Sequence, residues 1–243
     1  MKKTLLIAAA ALAASVISSQ AQVYSQNIVG YVNKSAGANF SIHTAPFDAA
    51  GGNSLTNLIQ NPGGVYDGSQ VFIWGSTSYN IYTLDSGFAT GVGDANDANA
   101  VTAPVINPGT AFLFNNGGVS NTITYAGTVH VGSGSIPGTS TNVIPNQALN
   151  LISPVIPFGG GITSSLGFTN VAGALDGNQI FIPIISPSGV LSGFNTVTFD
   201  SGFASGFGDA NDAAQVAEPQ IPVGSGFFFG NGTGGTVKWI QSL

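Results

Sequence analysis

The strongest constraint on this chain is a fourteen-residue stretch that it contains twice. Residues 85–98 read DSGFATGVGDANDA, and residues 200–213 read DSGFASGFGDANDA. The copies differ only at Thr90/Ser205 and Val92/Phe207, and they lie 115 positions apart. Self-similarity at a fixed offset marks a duplicated structural unit. The surroundings follow suit. Asp67-Gly68-Ser69-Gln70-Val71-Phe72-Ile73 matches Asp176-Gly177-Asn178-Gln179-Ile180-Phe181-Ile182 at an offset of 109. Pro104, Gly109, Phe112, Phe114 and Asn116 match Pro219, Gly224, Phe227, Phe229 and Asn231 at 115. The difference places a six-residue insertion around Ser186–Gly193, at the tip of an expected hairpin.

Glycine (35), proline (12) and β-branched residues break the chain into short alternating runs, and sustained helical periodicity is nearly absent. An all-β fold follows. Strands are expected at 23–32, 40–44, 69–74, 79–84, 111–115 and 123–131, the last with a bulge at Gly127. One helical turn is expected at Leu55, Leu58 and Ile59 behind an Asn53 cap, and its counterpart at 162–168. The boundaries read as a first β-repeat over 22–131, a Gly/Ser/Pro linker over 132–142 and a second β-repeat over 143–243. Each repeat is a small sandwich or barrel of ordinary domain size. Two closely packed domains are favoured over one pseudo-symmetric body.

Residues 1–21 read as a secretory signal peptide. Lys2 and Lys3 form the positive start, 5–17 the apolar stretch, and Ser19-Gln20-Ala21 the small-residue cleavage site. Cleavage near Ala21 predicts a secreted protein, periplasmic or extracellular and at the cell surface. No other run is long enough for a membrane-spanning helix. Beyond the signal, Lys34 and Lys238 are the only basic side chains, set against ten acidic ones. That balance excludes a nucleic-acid partner, which requires a basic footprint. The absence of cysteine excludes disulfides and thiol chemistry.

The start VYSQNIVGYVN, the Asp-Gly turn before Val71-Phe72-Ile73-Trp74, and the closing strands PGTAFLFN and VGSGFFFGN together resemble a group of uncharacterised secreted bacterial proteins with repeated all-β units. The resemblance covers most of the chain and implies export and an all-β fold. It carries no catalytic residues.

The duplicated loop is the first candidate site. Asp85, Asp94, Asn96, Asp97 and Asn99, and again Asp200, Asp209, Asn211 and Asp212, crowd oxygen-bearing side chains onto a glycine-rich backbone. Calcium takes six to eight such oxygens, and it is the one cofactor the sequence suggests. The EF-hand glycine and glutamate are missing. The competing reading is structural: Asp and Asn form Asx-turns, and Phe88, Phe203 and Phe207 plug the loops into the core. A second candidate is the crowd of Tyr66, Trp74, Tyr79 and Tyr82 at the first hairpin, which could stack on polysaccharide if the rings share an exposed face. His43 and His130 read as solvated strand residues, and no nucleophile elbow is present.

These features predict a non-enzymatic, exported structural or surface-associated protein, calcium-stabilised in one version and engaged in adhesion or self-association. The alternatives are a carbohydrate-binding module using the first-repeat aromatics and, third, a glycoside hydrolase using paired Asp carboxylates.

Overall fold

The computed structural model describes residues 28–132, 138–232 and 235–243. The signal-peptide segment and the first residues of the expected opening strand lie outside them. The fold is all-β, built from antiparallel sheets. The one α-helix among the described residues is α1 (Leu55–Leu58).

In the first half, β1 (Val29–Ala36) and β7 (Asn121–Thr128) form a two-stranded ribbon. The register runs unbroken through Gly30↔Gly127, so Gly127 is not a bulge. A side chain there would run into the Asp48 carbonyl, and this close approach is what requires glycine. Beside the ribbon lie β2 (Phe40–Thr44), β3 (Gln70–Trp74), β4 (Tyr79–Leu84), β5 (Val92–Gly93) and β6 (Ala111–Asn115), in the order β2-β6-β3-β4-β5. β5 lies inside the stretch expected to be loop and pairs with Thr83 and Leu84.

The second half contains a ribbon of β8 (Thr139–Ile144) and β16 (Val237–Ser242) and a two-residue ladder of β10 (Gly160–Gly161) and β14 (Gln220–Ile221). Its main sheet comprises β9 (Asn150–Ile152), β11 (Gln179–Ile185), β12 (Leu191–Phe199), β13 (Phe207–Gly208) and β15 (Phe227–Gly230). The order β9-β15-β11-β12-β13 repeats that of the first half strand for strand. β8 takes up residues 139–142, which composition assigns to the linker, because Ser140 and Ile144 turn inward while Thr141 and Val143 face out. The counterpart helix is absent. Residues 162–166 form turns, held by Glu218 Oε1, which accepts from the backbone N–H of Thr163 (2.6 Å) and of Ser164 (2.7 Å). Asn53 does not cap α1 either. Its side chain accepts from Ala49 N at 2.6 Å, and Ser54 occupies the cap position.

Each main sheet is apolar on both faces, which explains why AFLFN and FFFG lack a polar alternate. Phe112 and Phe114 enter the first core with Leu55, Ile59 and Tyr125. Phe227 and Phe229 enter the second core with Phe168, Phe199 and Trp239. The alternate residues, Ala111, Leu113 and Phe228, meet Ile42 and Leu151 in a third apolar cluster that both halves share.

The hairpins cross this shared cluster reciprocally. From the first half, Trp74 donates its indole N–H to the Leu149 carbonyl (2.9 Å) and meets Phe228 edge-on at 6.0 Å. From the second, the tip between β11 and β12 lies against Ser35 and Gly37. That tip carries the six-residue insertion, and the extra length is what reaches the other half. Thr110 also bridges Ile152, and Ser153 N donates to Gly109 O at 3.0 Å.

Trp74→Ala removes a ring and strands the Leu149 acceptor. It is expected to cost about 3 kcal/mol and to lower the melting temperature by roughly 6–12 °C. Thermal unfolding followed by circular dichroism checks this, and an unchanged midpoint would show that the crossing hairpin does not stabilise the pair.

Candidate functional site

The duplicated loop begins at an anchor that the sequence reading treats only as a turn. Asp67 Oδ1 accepts from the Asn61 amide (2.6 Å) and from Ser86 N (2.8 Å), and its Oδ2 accepts from the Ser86 hydroxyl (2.7 Å). The Asn61 oxygen accepts from Tyr66 N at 2.8 Å, closing the turn. In the second half, Asp176 repeats every bond. It receives the Asn170 amide (2.5 Å), Ser201 N (2.8 Å) and the Ser201 hydroxyl (2.6 Å), while Leu175 N donates to Asn170 at 2.7 Å. These bonds, the serine hydroxyl first, hold both carboxyls below the usual range. The recurrence of Asn, Asp and Ser at matching positions in the two halves was the available signal.

Past the anchor, the chain turns twice. Asp85 Oδ1 accepts from Gly87 N, and Asp200 Oδ1 from Gly202 N, both at 2.6 Å. Gly91 and Gly206 follow at φ +70° and +79°, a region that glycine enters without strain. The second turn is built on Asp94 and Asp209. Asp94 Oδ1 accepts from Asn96 N (3.1 Å) and Ala98 N (2.9 Å), and its Oδ2 accepts from the Asn99 amide (2.8 Å). Asp209 Oδ1 accepts from Asn211 N (3.1 Å) and Ala213 N (2.9 Å). The Asn99 amide lowers Asp94 most, and Ala98 N adds to it; Ala213 N is the leading bond to Asp209. Gln70 and Gln179 pin the turns to their sheets by donating to Ala95 O (3.1 Å) and Ala210 O (3.2 Å).

Asp97 and Asp212 have the opposite electrostatics. Both sit at φ 57°, which Asp tolerates better than most residues. Partial desolvation raises both carboxyls, and the neighbouring carboxylates, led by Asp85 for the first and Asp200 for the second, raise them further. Among the described residues no three His, Cys, Asp or Glu side chains converge as a metal-ligand set. Of the nine loop residues, Asp94 and Asn99 bond each other through their side chains, while Asn96 and Asn211 contribute backbone N–H groups.

The aromatic candidates do not share a face. Trp74 and Tyr79 are cross-strand partners, 4.9 Å apart edge-to-face, and point into the shared cluster. Tyr82 pairs with Val71 on the opposite face and packs on the first core, where Tyr66 is buried. The condition for stacking on polysaccharide, one shared exposed face, is not met: Trp74 and Tyr79 join the two halves, and Tyr66 and Tyr82 pack on the first core.

His43 is also misplaced by the sequence reading. It is fully buried rather than solvated. Its Nε2 lies 2.8 Å from the Ser41 hydroxyl and its Nδ1 2.9 Å from the Tyr125 hydroxyl, and its ring stacks on Phe112. Ser41 donates to Phe114 O at 3.2 Å, so the imidazole donates from Nε2 and Tyr125 donates to Nδ1. Burial, and then the charge of Lys34, hold the imidazole well below its usual range. Burial also lowers the Lys34 ammonium to about 8. The other histidine, His130, is partly exposed and pairs with Asp48 at 2.7 Å.

No family model, curated protein or solved structure matches this chain.

The sealed His43 implies acid sensitivity. Its folded pKa lies below the unfolded value of about 6.5, so stability is complete above that pH. It should fall by up to about 1.4 kcal/mol per unit as pH drops through the window below 6.5. Denaturant midpoints at pH 7.5, 6.5 and 5.5 measure this, and the slope should flatten in His43→Gln. A separate test concerns the anchor. Asp67→Ala should speed chymotrypsin cleavage after Phe88, and Asp176→Ala after Phe203, while each leaves the other loop unchanged. Equal cleavage rates in wild type and variants would remove Asp67 and Asp176 from their anchoring role.

Proposed function

We propose that this is an exported, non-enzymatic structural or surface-associated protein, made of two like-ordered β-halves locked into one unit. The observation that carries this reading is the use of the loop carboxylates. Asp67, Asp85 and Asp94, with Asp176, Asp200 and Asp209, accept hydrogen bonds from the loops' own backbone and side chains, as turn-forming residues do. A hydrolase would instead need two carboxylates facing one sugar across a cleft, one of them kept protonated by its surroundings. Here the bonds that Asp94 and Asp209 accept in their exposed turns hold both carboxyls below the usual range.

Open strand edges supply the means of association. Val29 and Tyr31 are 73% and 72% exposed on the outer face of β1, and Val143 and Ile240 are each 57% exposed on the second ribbon. Exposed apolar side chains on ribbons that carry one lysine each favour lateral contact between copies or with a surface. No helix among the described residues is long and apolar enough to cross a membrane.

In this reading the loops hold their shape without a cation. Melting residues 22–243 in EDTA and again in millimolar Ca²⁺ should give midpoints within about 1 °C. Calcium bound at a hundred times its Kd would add about 2.7 kcal/mol, or roughly 5–10 °C. A shift of that size, lost in Asp94→Ala/Asp209→Ala, would replace the self-supporting loop with a calcium-stabilised one.

A further inference from the structure

The same surface depression occurs in both halves. In the first it measures about 320 Å³ and is lined by Asn61, Leu84, Ser86, Phe88 and Thr90 among others. In the second it measures about 280 Å³, with Asn170, Phe199, Ser201, Phe203 and Ser205 at the corresponding places. The polar groups and the exposed ring of the lining are retained, amide for amide, hydroxyl for hydroxyl and half-buried phenyl for half-buried phenyl, while Leu84 gives way to Phe199. Another pair of matched grooves, beside β7 and β16, shows that this is not automatic. There Pro62, Val65 and Tyr66 face Val171, Ala174 and Leu175, and the volumes differ, at about 340 and 510 Å³.

The turn itself needs Asp85, Gly87 and Gly91. Nothing in its hydrogen bonding needs an aromatic side chain, yet Phe88 and Phe203 each leave part of a ring in solvent. The polar groups beside each ring are arranged for binding. The Ser86 hydroxyl proton goes to Asp67 and the Thr90 proton to Val92 O, so both oxygens present lone pairs. Ser201 and Ser205 donate in the same way to Asp176 and Phe207 O, and Ser205 Oγ, which also accepts from Phe207 N at 3.3 Å, keeps one lone pair. The Asn61 and Asn170 amides each give one N–H to an aspartate, which leaves a second donor. No charged side chain lines either depression, and the nearest carboxylates, Asp67 and Asp176, repel anions.

We propose that the two depressions are a pair of binding sites for a neutral saccharide, each taking one pyranose ring against Phe88 or Phe203. A phenyl face suits the C–H face of a sugar, and a rim of lone pairs with one amide donor suits its hydroxyls. Each volume fits a single ring. The sites lie on different halves, so a polymer of repeated units long enough to reach both gains avidity. These sites are separate from the Trp74 hairpin, and the structural reading stands without them.

Retention of residues 22–243 on microcrystalline cellulose and chitin, and retardation in gels containing laminarin or hydroxyethyl-cellulose, test this. Alginate serves as the acidic control and should not retain the protein. Retention is expected on at least one neutral polymer. It should weaken about tenfold or more in Phe88→Leu or Phe203→Leu, disappear in the double variant, and survive in Phe88→Tyr/Phe203→Tyr. Should the leucine pair unfold, Thr90→Val/Ser205→Ala takes its place, keeps both rings, and should weaken binding. The proposal is overturned if no neutral polymer retains the native protein, or if a folded double variant binds as well as wild type.

Discussion

Much of this structure depends on carboxylates accepting backbone N–H groups where no strand is available to do so. A chain with so few charges has to build its long connections from bare peptide, and buried or crowded peptide groups need partners. Asp67 and Asp176 fasten the start of each loop to the turn before β3 or β11, and Asp94 and Asp209 close the far end. β5 and β13 can then be as short as two residues, because the turns around them are already fixed. The two cores are sealed by loops that have little apolar surface of their own.

This explains what was legible in the sequence. β4 falls where the turn after β3 places it, because a hairpin is a local event and its signals are neighbours. β5 was hidden because two residues carry no periodicity. The burial of His43 was hidden for another reason. Its partner Tyr125 arrives from 82 positions away on a ribbon strand, and a Ser-Ile-His-Thr alternation looks solvated until that strand covers it. Glu218, beside a proline, gave no local sign that it would hold the backbone of Thr163 and Ser164 from 55 and 54 positions off.

The candidate site followed the same pattern. The duplicated segment was legible as a pair of Asp- and Asn-rich loops, but the bonds its oxygens accept were not, since composition does not tell whether an oxygen is already bonded. The aromatic residues of the first hairpin divide by strand geometry. Tyr82 and Tyr79 are three positions apart in one strand, so they must lie on opposite faces, and Trp74 follows Tyr79 into the shared cluster. The half-buried Phe88 and Phe203 were assigned as core plugs, and only the shape around them shows a depression.

The crossing hairpins also set an order of events during synthesis. Trp74 finds its acceptor at Leu149 and its ring partner at Phe228. Until those residues have left the ribosome, the first half holds an apolar sheet face with nothing against it. It can form its own core early, yet it cannot hide that face until the chain is nearly complete. The interval is a window for mispairing with another nascent copy, and its length is set by how quickly the second half follows the first.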